Sequence, residues 1–414
     1  MQSTQRASEL PRHLVWASYV IGAFGLGVSQ QGAFLVPLRA HELGASFQII
    51  GVIVAATAVV PSLTSVPIGG VIDRFGSRRS FILGSGMTVL VGLGFMTATS
   101  YWALLGLQML LGTFRTMAWL ASQTYITTLG QKDERAGLAG RFALFTNIGT
   151  MVGPLVAGLV AQLVGYRLAF AWLAFYAFVF FLLGLILVET HVPTEAQQSG
   201  DKRRSGFRQA AGQLKLRGMQ VALLLTFARL WNDKLWTSFY PVLLADIGFQ
   251  PGVIGTVVFT KGMVATMFAP TAGFFARFTS AQTLAAVSLG FGSVALVLSP
   301  HMTAVPQVYL APVLLGIGVG LSLPMLFAIV SEAAPDGERG VALGLRMTVN
   351  QVAGGTAPVM FGPLVAVIGA MGGFAIAGAV SAAALIGSRV LHALDRPRSP
   401  APDRRGQDTS PGVR

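Results

Sequence analysis

The amino-acid sequence predicts an all-α membrane protein with twelve transmembrane helices arranged in two pseudo-symmetric six-helix bundles. Hydrophobic residues make up 53% of the 414 residues and charged residues only 11%, whereas a soluble domain carries about 25% charged residues. Apolar runs of about 20 residues, the length that crosses a bilayer, recur along the whole chain. Twelve such spans can be placed, at 14–37, 47–71, 80–99, 102–125, 142–164, 168–188, 219–243, 252–275, 282–299, 305–331, 347–369 and 371–391.

An internal repeat divides these spans into two halves. Residues 70–77 read GVIDRFGS and residues 273–280 read GFFARFTS. In two other places, identical or similar residues recur 204 positions apart, such as Gly44 with Gly248 and Pro154 with Pro358. Parallel repeats of six spans are a known architecture of membrane proteins. We therefore predict a cytoplasmic N-terminus at 1–13, bundles at 14–188 and 219–392, a cytoplasmic linker at 189–218 and a disordered tail at 393–414.

The net charge of +13 is explained by orientation in a membrane. Most of the 29 Lys and Arg residues lie in segments on the side of the two termini, including the basic run between residues 202 and 217. Because basic residues concentrate in cytoplasmic loops, both termini are predicted to be cytoplasmic, with the chain in the inner or plasma membrane. The partners expected are therefore the lipid bilayer and no nucleic acid, and the protein is expected to be a monomer. The first apolar segment is too long for a signal-peptide core, so it is predicted to be a retained span.

The composition also argues against several kinds of chemistry. The chain has no cysteine, and its five histidines fall near segment ends or in loops, so we expect no disulfide, no metal site and no cofactor. A phosphate-binding loop of the P-loop type is absent from the sequence, and no serine, histidine and acid constellation presents itself. The sequence therefore predicts that the protein is not an enzyme.

The segment between the second and third spans holds the densest group of motif residues. It reads GGVIDRFGSRR over residues 69–79, which places an acid and three arginines at the water interface. The segment resembles the signature of the major facilitator superfamily, although Ser77 stands where an arginine is common. The matching residues are Gly69, Asp73, Arg74, Gly76, Arg78 and Arg79.

A second motif lies in the fifth span, and the resemblance covers nearly the whole chain. Gly149, Gly153, Pro154 and Gly158 resemble the motif associated with antiporters, with Ala157 replacing one of its glycines. Glycines let a neighbouring helix approach closely, and a proline permits a helix to bend. We therefore predict that these residues form a pivot.

The resemblance implies secondary active transport of a small molecule by alternating access, in which two bundles rock about a central site. A transmembrane proton gradient is the implied energy source, and the fifth-span motif implies export. The segment at 69–79 is predicted to act as a conformational latch, because Asp73 can meet positive groups in only one arrangement of the bundles. In the fourth span, Gln108 stands where the superfamily usually has an arginine, and Arg115 lies seven residues further on a similar face.

Five ionisable side chains fall within the predicted spans: Arg115, Arg229, Asp233, Lys234 and Lys261. Such groups are costly in a bilayer unless they are paired or hydrated, so each is a functional candidate. Four bases and one acid leave a net charge of +3, which favours an anionic or acid-bearing solute. The alternative is structural, in which Asp233 pairs with one of the bases and the charges tie helices together.

One face of the seventh span carries a stripe of possible solute contacts. Arg229 and Asp233 are four residues apart, and Trp236 and Tyr240 continue the stripe. We expect this stripe to face a central cavity. As the one acid deep within a span, Asp233 is also the predicted proton-coupling residue.

The repeat adds two polar residues to the predicted binding site. Lys234 aligns with Gln30 across the repeat, so Gln30 and the adjacent Gln31 are predicted to contact the solute, unless they bond only to neighbouring helices. Aromatic and methionine side chains, Trp119 among them, could line an apolar pocket or pack helices. The predicted binding residues are Gln30, Gln31, Arg115, Arg229, Lys234, Trp236, Tyr240 and Lys261.

Two alternatives to proton-coupled export stay open from the sequence. A cavity rich in basic residues suits uptake of an anionic metabolite together with protons equally well. A non-transporting sensor or assembly factor on the same scaffold is also conceivable, but a static receptor has no need of the latch residues at 69–79. The sequence therefore favours a proton-coupled exporter of a small acid-bearing or amphipathic compound.

Overall fold

A computed structural model describes residues 12–128, 135–186, 209–335 and 338–395, and within these ranges the chain is helical without strands. The first six predicted spans correspond to helices α1 to α6. Helices α5 and α6 are the two parts, 135–164 and 166–186, of one segment that is broken at Gly165. The bounds are Arg12–Glu42 (α1), Phe47–Phe75 (α2), Ser77–Thr97 (α3), Tyr101–Thr128 (α4) and Arg135–Ile186 (α5 and α6).

The second half repeats this order as α7 to α12. Helix α8 continues through a 3-10 turn into a short helix, and another short helix, Val305–Val308, precedes α10. Helices α11 and α12 are the parts 339–368 and 370–395 of one segment broken at Gly369. The bounds are Arg217–Asp246 (α7), Pro251–Phe268 (α8), Ala281–Leu298 (α9), Leu310–Ala333 (α10) and Arg339–Asp395 (α11 and α12).

The turns at the end opposite the termini, called the far end below, show the sequence repeat in the backbone. Gly44 and Gly248 have φ angles of 78° and 94°, and Gly165 and Gly369 have φ angles of 83° and 74°. Both pairs are 204 positions apart. Glycine adopts such positive angles without the steric cost that a Cβ atom brings. The two halves therefore reverse direction with the same turn chemistry at matching positions.

Within the described residues, ten membrane crossings can be recognised from length and hydropathy. Eight described helical segments are long and apolar enough to span a membrane, and two of them, Leu144–Leu185 and Val341–Ala393, contain the glycine breaks and so cross twice. In α2, the apolar stretch within the described side chains is Phe47–Pro61, and the helix itself continues to Phe75. Helix α7 is more polar, but its 30 residues reach about 45 Å, which is enough to cross.

The two halves contact each other closely at the far end. Gly252 donates its backbone N–H to Gln162 Oε1 at 3.0 Å, and His41 Nε2 lies 3.2 Å from Asp246 Oδ1. A Cβ atom on Gly362 would lie 2.6 Å from the carbonyl oxygen of Phe47. Helices α5 with α8 and α2 with α11 form matching contacts across the repeat, so this end of the molecule is closed.

Candidate functional site

Two cavities lie between the halves, on the termini side of the far-end contacts. The larger has a volume of about 590 Å³ and is lined by α1, α2, α4, α7 and α11. The smaller has a volume of about 260 Å³ and is lined by α1, α5, α7, α8 and α10. Gln30 of α1 lines both cavities. Each cavity therefore takes side chains from both halves, and the two lie on either side of Gln30.

The smaller cavity contains an ion pair. Lys261 of α8 donates from Nζ to Asp233 Oδ1 and to Thr237 Oγ1 of α7, each at 2.9 Å. Arg229 also lines this cavity, but it makes no ion pair within 4.0 Å with any described acid. The acid of the smaller cavity is thus neutralised by a base from the neighbouring helix.

The larger cavity contains two cations, Arg115 of α4 and Lys234 of α7. None of its described lining residues is an acid, and neither cation forms an ion pair within the described part of the chain. The rest of the polar wall consists of the amides of Gln30, Asn350 and Gln351 and the hydroxyl residues Ser29, Thr57 and Thr116. Among the described residues, the positive charge of this cavity therefore has no acid in the cavity wall and no ion-pair partner to balance it.

The structure brings six of the predicted residues to the cavities: Gln30, Arg115, Arg229, Asp233, Lys234 and Lys261. Their roles in solute binding and proton coupling stay predictions. Asp233 and Lys234 are neighbours on α7, and each lines a different cavity because successive helix positions are about 100° apart. The sequence left open which base pairs with Asp233, and the packing of α7 on α8 selects Lys261.

Two residues of the α7 stripe do not face a cavity, which corrects the prediction. Trp236 and Tyr240 are both 0% exposed, and their rings pack against each other with centroids 5.0 Å apart. The hydroxyl of Tyr240 donates to the carbonyl oxygen of Val308 at 3.2 Å. Both residues lie further along α7 toward the closed far end than Asp233, so the helices that form the closure bury them.

Gln31 also lies outside the cavities, contrary to prediction. It is 0% exposed, and a Cβ atom on Gly153 would lie 3.2 Å from its Cγ. Its side chain is therefore packed between α1 and α5, since the adjacent residue Gln30 takes the position that faces the cavities.

The predicted pivot residues belong to two different contacts. A Cβ atom on Gly149 would clash with the backbone of Ala23, and one on Gly153 would lie 2.9 Å from the carbonyl oxygen of Gly27. These two glycines therefore pack α5 against α1 within the first half. Pro154 and Gly158 instead face α8 of the second half, because a Cβ atom on Gly255 would lie 2.9 Å from the Pro154 carbonyl oxygen and 3.4 Å from Gly158.

The predicted latch segment is a sharp connection between α2 and α3. Helix α2 ends at Phe75, Gly76 adopts a φ of 88°, and α3 begins at Ser77. Arg78 Nη2 donates to the carbonyl oxygen of Leu185 at 3.1 Å, which ties α3 to α6 within the first half. Arg74 lies over the Phe75 ring, and Arg79 is exposed. Gly69 is part of α2. The side chain of Asp73 lies outside the described residues, so its latch role stays a prediction.

One buried cation was not among the residues predicted from the sequence. Arg346 of α11 is 2% exposed, and its guanidinium carbon lies 4.2 Å from the centre of the Phe327 ring. The eleventh span was predicted to begin at residue 347, one residue too late to include it. Helix α11 extends back to Arg339, so a longer apolar window would have enclosed this arginine.

The sequence matches a known family over nearly its whole length. A profile described as Major Facilitator Superfamily matches residues 15–231 and residues 222–413. The chain belongs to the major facilitator superfamily. Membership confirms the resemblance found in the motifs, and with the apolar helices it identifies a multi-pass membrane transporter for a small molecule, not an enzyme. The antiporter branch of the superfamily stays a prediction.

Solved structures of the superfamily share the fold at low sequence identity. The nucleoside transporter NupG has a TM-score of 0.73 and 13% identity, with coverage of 92% of this chain and 99% of that chain. A D-xylose-proton symporter has a TM-score of 0.72 and 16% identity, with coverage of 91% and 97%. A bacterial homologue of the human lysosomal transporter Spinster, in an inward-facing and unoccupied conformation, has a TM-score of 0.72 and 14% identity, with coverage of 93% and 96%. A search of curated proteins found no match.

Proposed function

We propose that this transporter moves an acid-bearing small organic solute by alternating access. The observation that carries the proposal is the pair of cations, Arg115 and Lys234, that line the larger cavity without an acid. Cations in a cavity with low-dielectric walls concentrate anions, and a bound carboxylate offsets the cost of holding two such charges inside the membrane. An anionic solute is thus the ligand that best completes this cavity.

The closed far end supports an alternating-access cycle. Contacts such as Gln162 with Gly252 close one end of the route, while the cavities lie on the termini side of those contacts. Because the basic loops lie on the termini side, we place that side in the cytoplasm, and this state presents its cavities inward. Pro154 and Gly158, at the contact between α5 and α8, are the best-placed residues for the pivot, and the segment at 69–79 is the proposed latch.

The ion pair between Asp233 and Lys261 is the proposed point of proton coupling. Asp233 is the one acid among the described residues that line the two cavities. A proton on Asp233 removes the negative charge that attracts Lys261 at 2.9 Å, which weakens a link between α7 and α8. The transmembrane proton gradient can then drive the change between states without any cofactor.

Two transport directions are supported by different observations. Export follows from the fifth-span residues Gly149 to Gly158, which resemble the antiporter motif. Uptake together with a proton is favoured by the cavity charges, since protonation of Asp233 makes both cavities more positive and so strengthens anion binding. Mutual reinforcement of two ligands favours movement of both in the same direction. We propose export as the first candidate and uptake as the second.

The test is transport in liposomes that contain the full chain under an imposed pH gradient. An organic acid, its neutral amide and the matching amine are compared at equal size. We expect the acid to move in preference to the other two, and Asp233→Asn to remove the effect of the gradient. Faster movement of the amine would contradict the proposed solute class, and an unchanged gradient effect in Asp233→Asn would contradict the coupling role. The sign of the gradient that drives accumulation separates export from uptake.

A further inference from the structure

The larger cavity has an ordered sequence of side chains along the axis of the bundles. Helix α4 runs from the far end to the termini end, and Trp119 and Leu120 follow Arg115 by four and five residues. At a rise of 1.5 Å per residue, these two helix positions lie about 6 to 7.5 Å nearer the termini end than the position of Arg115. On α4, the cation is therefore deeper than Trp119 and Leu120, and Leu111 lies still deeper, four residues before it.

Helices that run in the opposite direction show the same order. On α7, Leu230 precedes Lys234 by four residues and so lies about 6 Å nearer the termini end. On α11, Met347 precedes the amides Asn350 and Gln351. Helices α4 and α7 run in opposite directions, yet on both of them the apolar residues lie nearer the termini end than the cation. The cavity has an apolar band, formed by Trp119, Leu120, Leu230 and Met347, on the termini side of a polar layer that contains both cations.

The smaller cavity does not offer a comparable site for an acid. Its lysine already donates to Asp233 and Thr237, and the negative charge of Asp233 opposes the attraction of Arg229. A second carboxylate there would have to compete with the first. The smaller cavity keeps one unpaired cation, Arg229, beside its acid, whereas in the larger cavity two cations lie next to the apolar band and no described lining residue is an acid.

Resting on the proposed transport of an acid-bearing solute, we infer that the solute is an amphipathic organic acid with one anionic group. The anionic group binds Arg115 and Lys234, and an apolar chain or ring of at least about 6 Å lies against the apolar band. The acid group enters first and the apolar part faces the termini end. A compact dianion without an apolar part leaves that band exposed to water and is a poorer ligand.

The test is equilibrium binding of straight-chain carboxylates, from butanoate to octanoate, to the full-length protein in lipid nanodiscs. We expect the affinity to rise about fourfold for each added methylene group that reaches the apolar band. Octanamide and octylamine are expected to bind at least about 30-fold more weakly than octanoate, because they lack the negative charge. Tighter binding of succinate than of octanoate would overturn the inference.

Three variants assign the two parts of the ligand to residues. Lys234→Gln is expected to weaken octanoate binding about 20-fold. The double variant Asp233→Asn with Lys261→Gln leaves the net charge unaltered and measures any contribution of the smaller cavity to octanoate binding. Met347→Gln, at a side chain that is 53% exposed, is expected to reduce the dependence on chain length without removing the preference for acids. A purely structural role for Met347 would not change that slope.

The outcomes separate this inference from the function on which it rests. If acids bind with a strength that depends on Lys261 and Asp233 but not on Lys234, the inference is wrong and transport of an acid-bearing solute survives. A chain-length slope that is absent in the unaltered protein also overturns the inference. If carboxylates neither bind nor move in liposomes, the proposed function itself is wrong. Each variant is first shown to be folded by its size-exclusion profile.

Discussion

Both cavities are lined by Gln30 and by residues of α7, yet they differ in the balance of acidic and basic side chains. In the smaller cavity, Asp233 has Lys261 as a partner at 2.9 Å. In the larger cavity, the next residue along α7, Lys234, lies with Arg115 in a wall without an acid. The sequence neighbours Asp233 and Lys234 thus experience opposite surroundings because they point to different sides of one helix.

This difference shows why charges within a membrane need not share one role. A paired acid and base hold two helices together and can respond to a proton. Unpaired cations lose hydration without gaining a protein partner, so a solute or water must satisfy them. We therefore propose coupling for the smaller cavity and binding for the larger, with α7 contributing to both walls.

The largest effect is expected when the larger cavity receives an acid of its own. Asn350 lines that cavity, one helical turn before Gly354 on α11. A Cβ atom on Gly354 would lie 3.7 Å from Lys234 Cε, so this part of α11 faces Lys234. Asn350→Asp is isosteric and adds a negative charge, which should weaken binding of a probe acid about 30- to 100-fold through repulsion and through pairing with Lys234. Equilibrium binding to the purified variant measures this loss.

The control is Asn350→Ala, which removes the amide without adding charge and should change the affinity by no more than about threefold. Equal losses in Asn350→Asp and Asn350→Ala would show that the charge balance of the larger cavity does not determine binding.

Neutralising the lysine of each cavity should have different effects on the stability of the protein. Lys261→Gln leaves Asp233 without its partner, and we expect the free energy of unfolding to fall by about 1 to 3 kcal/mol. This value lies below that of a fully buried pair, because the side chains of Lys261 and Asp233 are 15% and 23% exposed. Lys234→Gln removes an unpaired cation and should leave stability unchanged or raised. Unfolding in detergent without solute measures both, and similar losses would remove the distinction between the cavities.

A smaller effect is expected when the smaller cavity loses its acid. In Asp233→Asn, Lys261 is no longer neutralised, and the added positive charge should raise the affinity for a probe acid about fivefold at neutral pH. Because a proton on Asp233 has the same consequence, wild-type affinity should rise as the pH falls, and the variant should lose this dependence. Binding titrations at several pH values measure the effect, and a variant that keeps the wild-type pH profile contradicts it.

The smallest effect is expected at the second acceptor of Lys261. Thr237→Val removes the hydroxyl that accepts a hydrogen bond from Nζ at 2.9 Å, and we expect a loss of about 0.5 to 1.5 kcal/mol in the free energy of unfolding. Thr260→Val is the matched control on α8, since the Thr260 hydroxyl donates to the carbonyl oxygen of Thr256 in its own helix. Equal losses in both variants would show that Lys261 gains nothing from Thr237.

Much of the fold was predictable because apolar runs and repeated residues can be read directly along the chain. Twelve apolar runs and matches 204 positions apart predicted the spans and the repeat, and the paired positive φ angles of Gly165 and Gly369 show that repeat in the backbone. The predicted seventh span, 219–243, lies within α7, Arg217–Asp246. Span ends were less accurate, as the late start of the eleventh span shows, because a helix continues into the interface beyond its apolar stretch.

The site was predicted in part. Residue type alone made Arg115, Lys234 and Lys261 candidates, since any charge within a span requires an explanation. Trp236 and Tyr240 were assigned to the cavity from helical periodicity, which gives the face of a helix but not the depth at which neighbouring helices close over it. The amides Asn350 and Gln351 were missed because a polar uncharged residue in a span is a weak signal.

By itself, the sequence determined that this chain is a twelve-helix membrane protein of two related halves with excess positive charge inside the membrane. Those properties depend on segment length, composition and spacing, which can be read along one dimension. Only the tertiary structure decided that Asp233 pairs with Lys261 and that Arg115 shares a cavity with Lys234. The partner of a side chain depends on which helices pack together and at what rotation, and residues far apart in the chain set that packing.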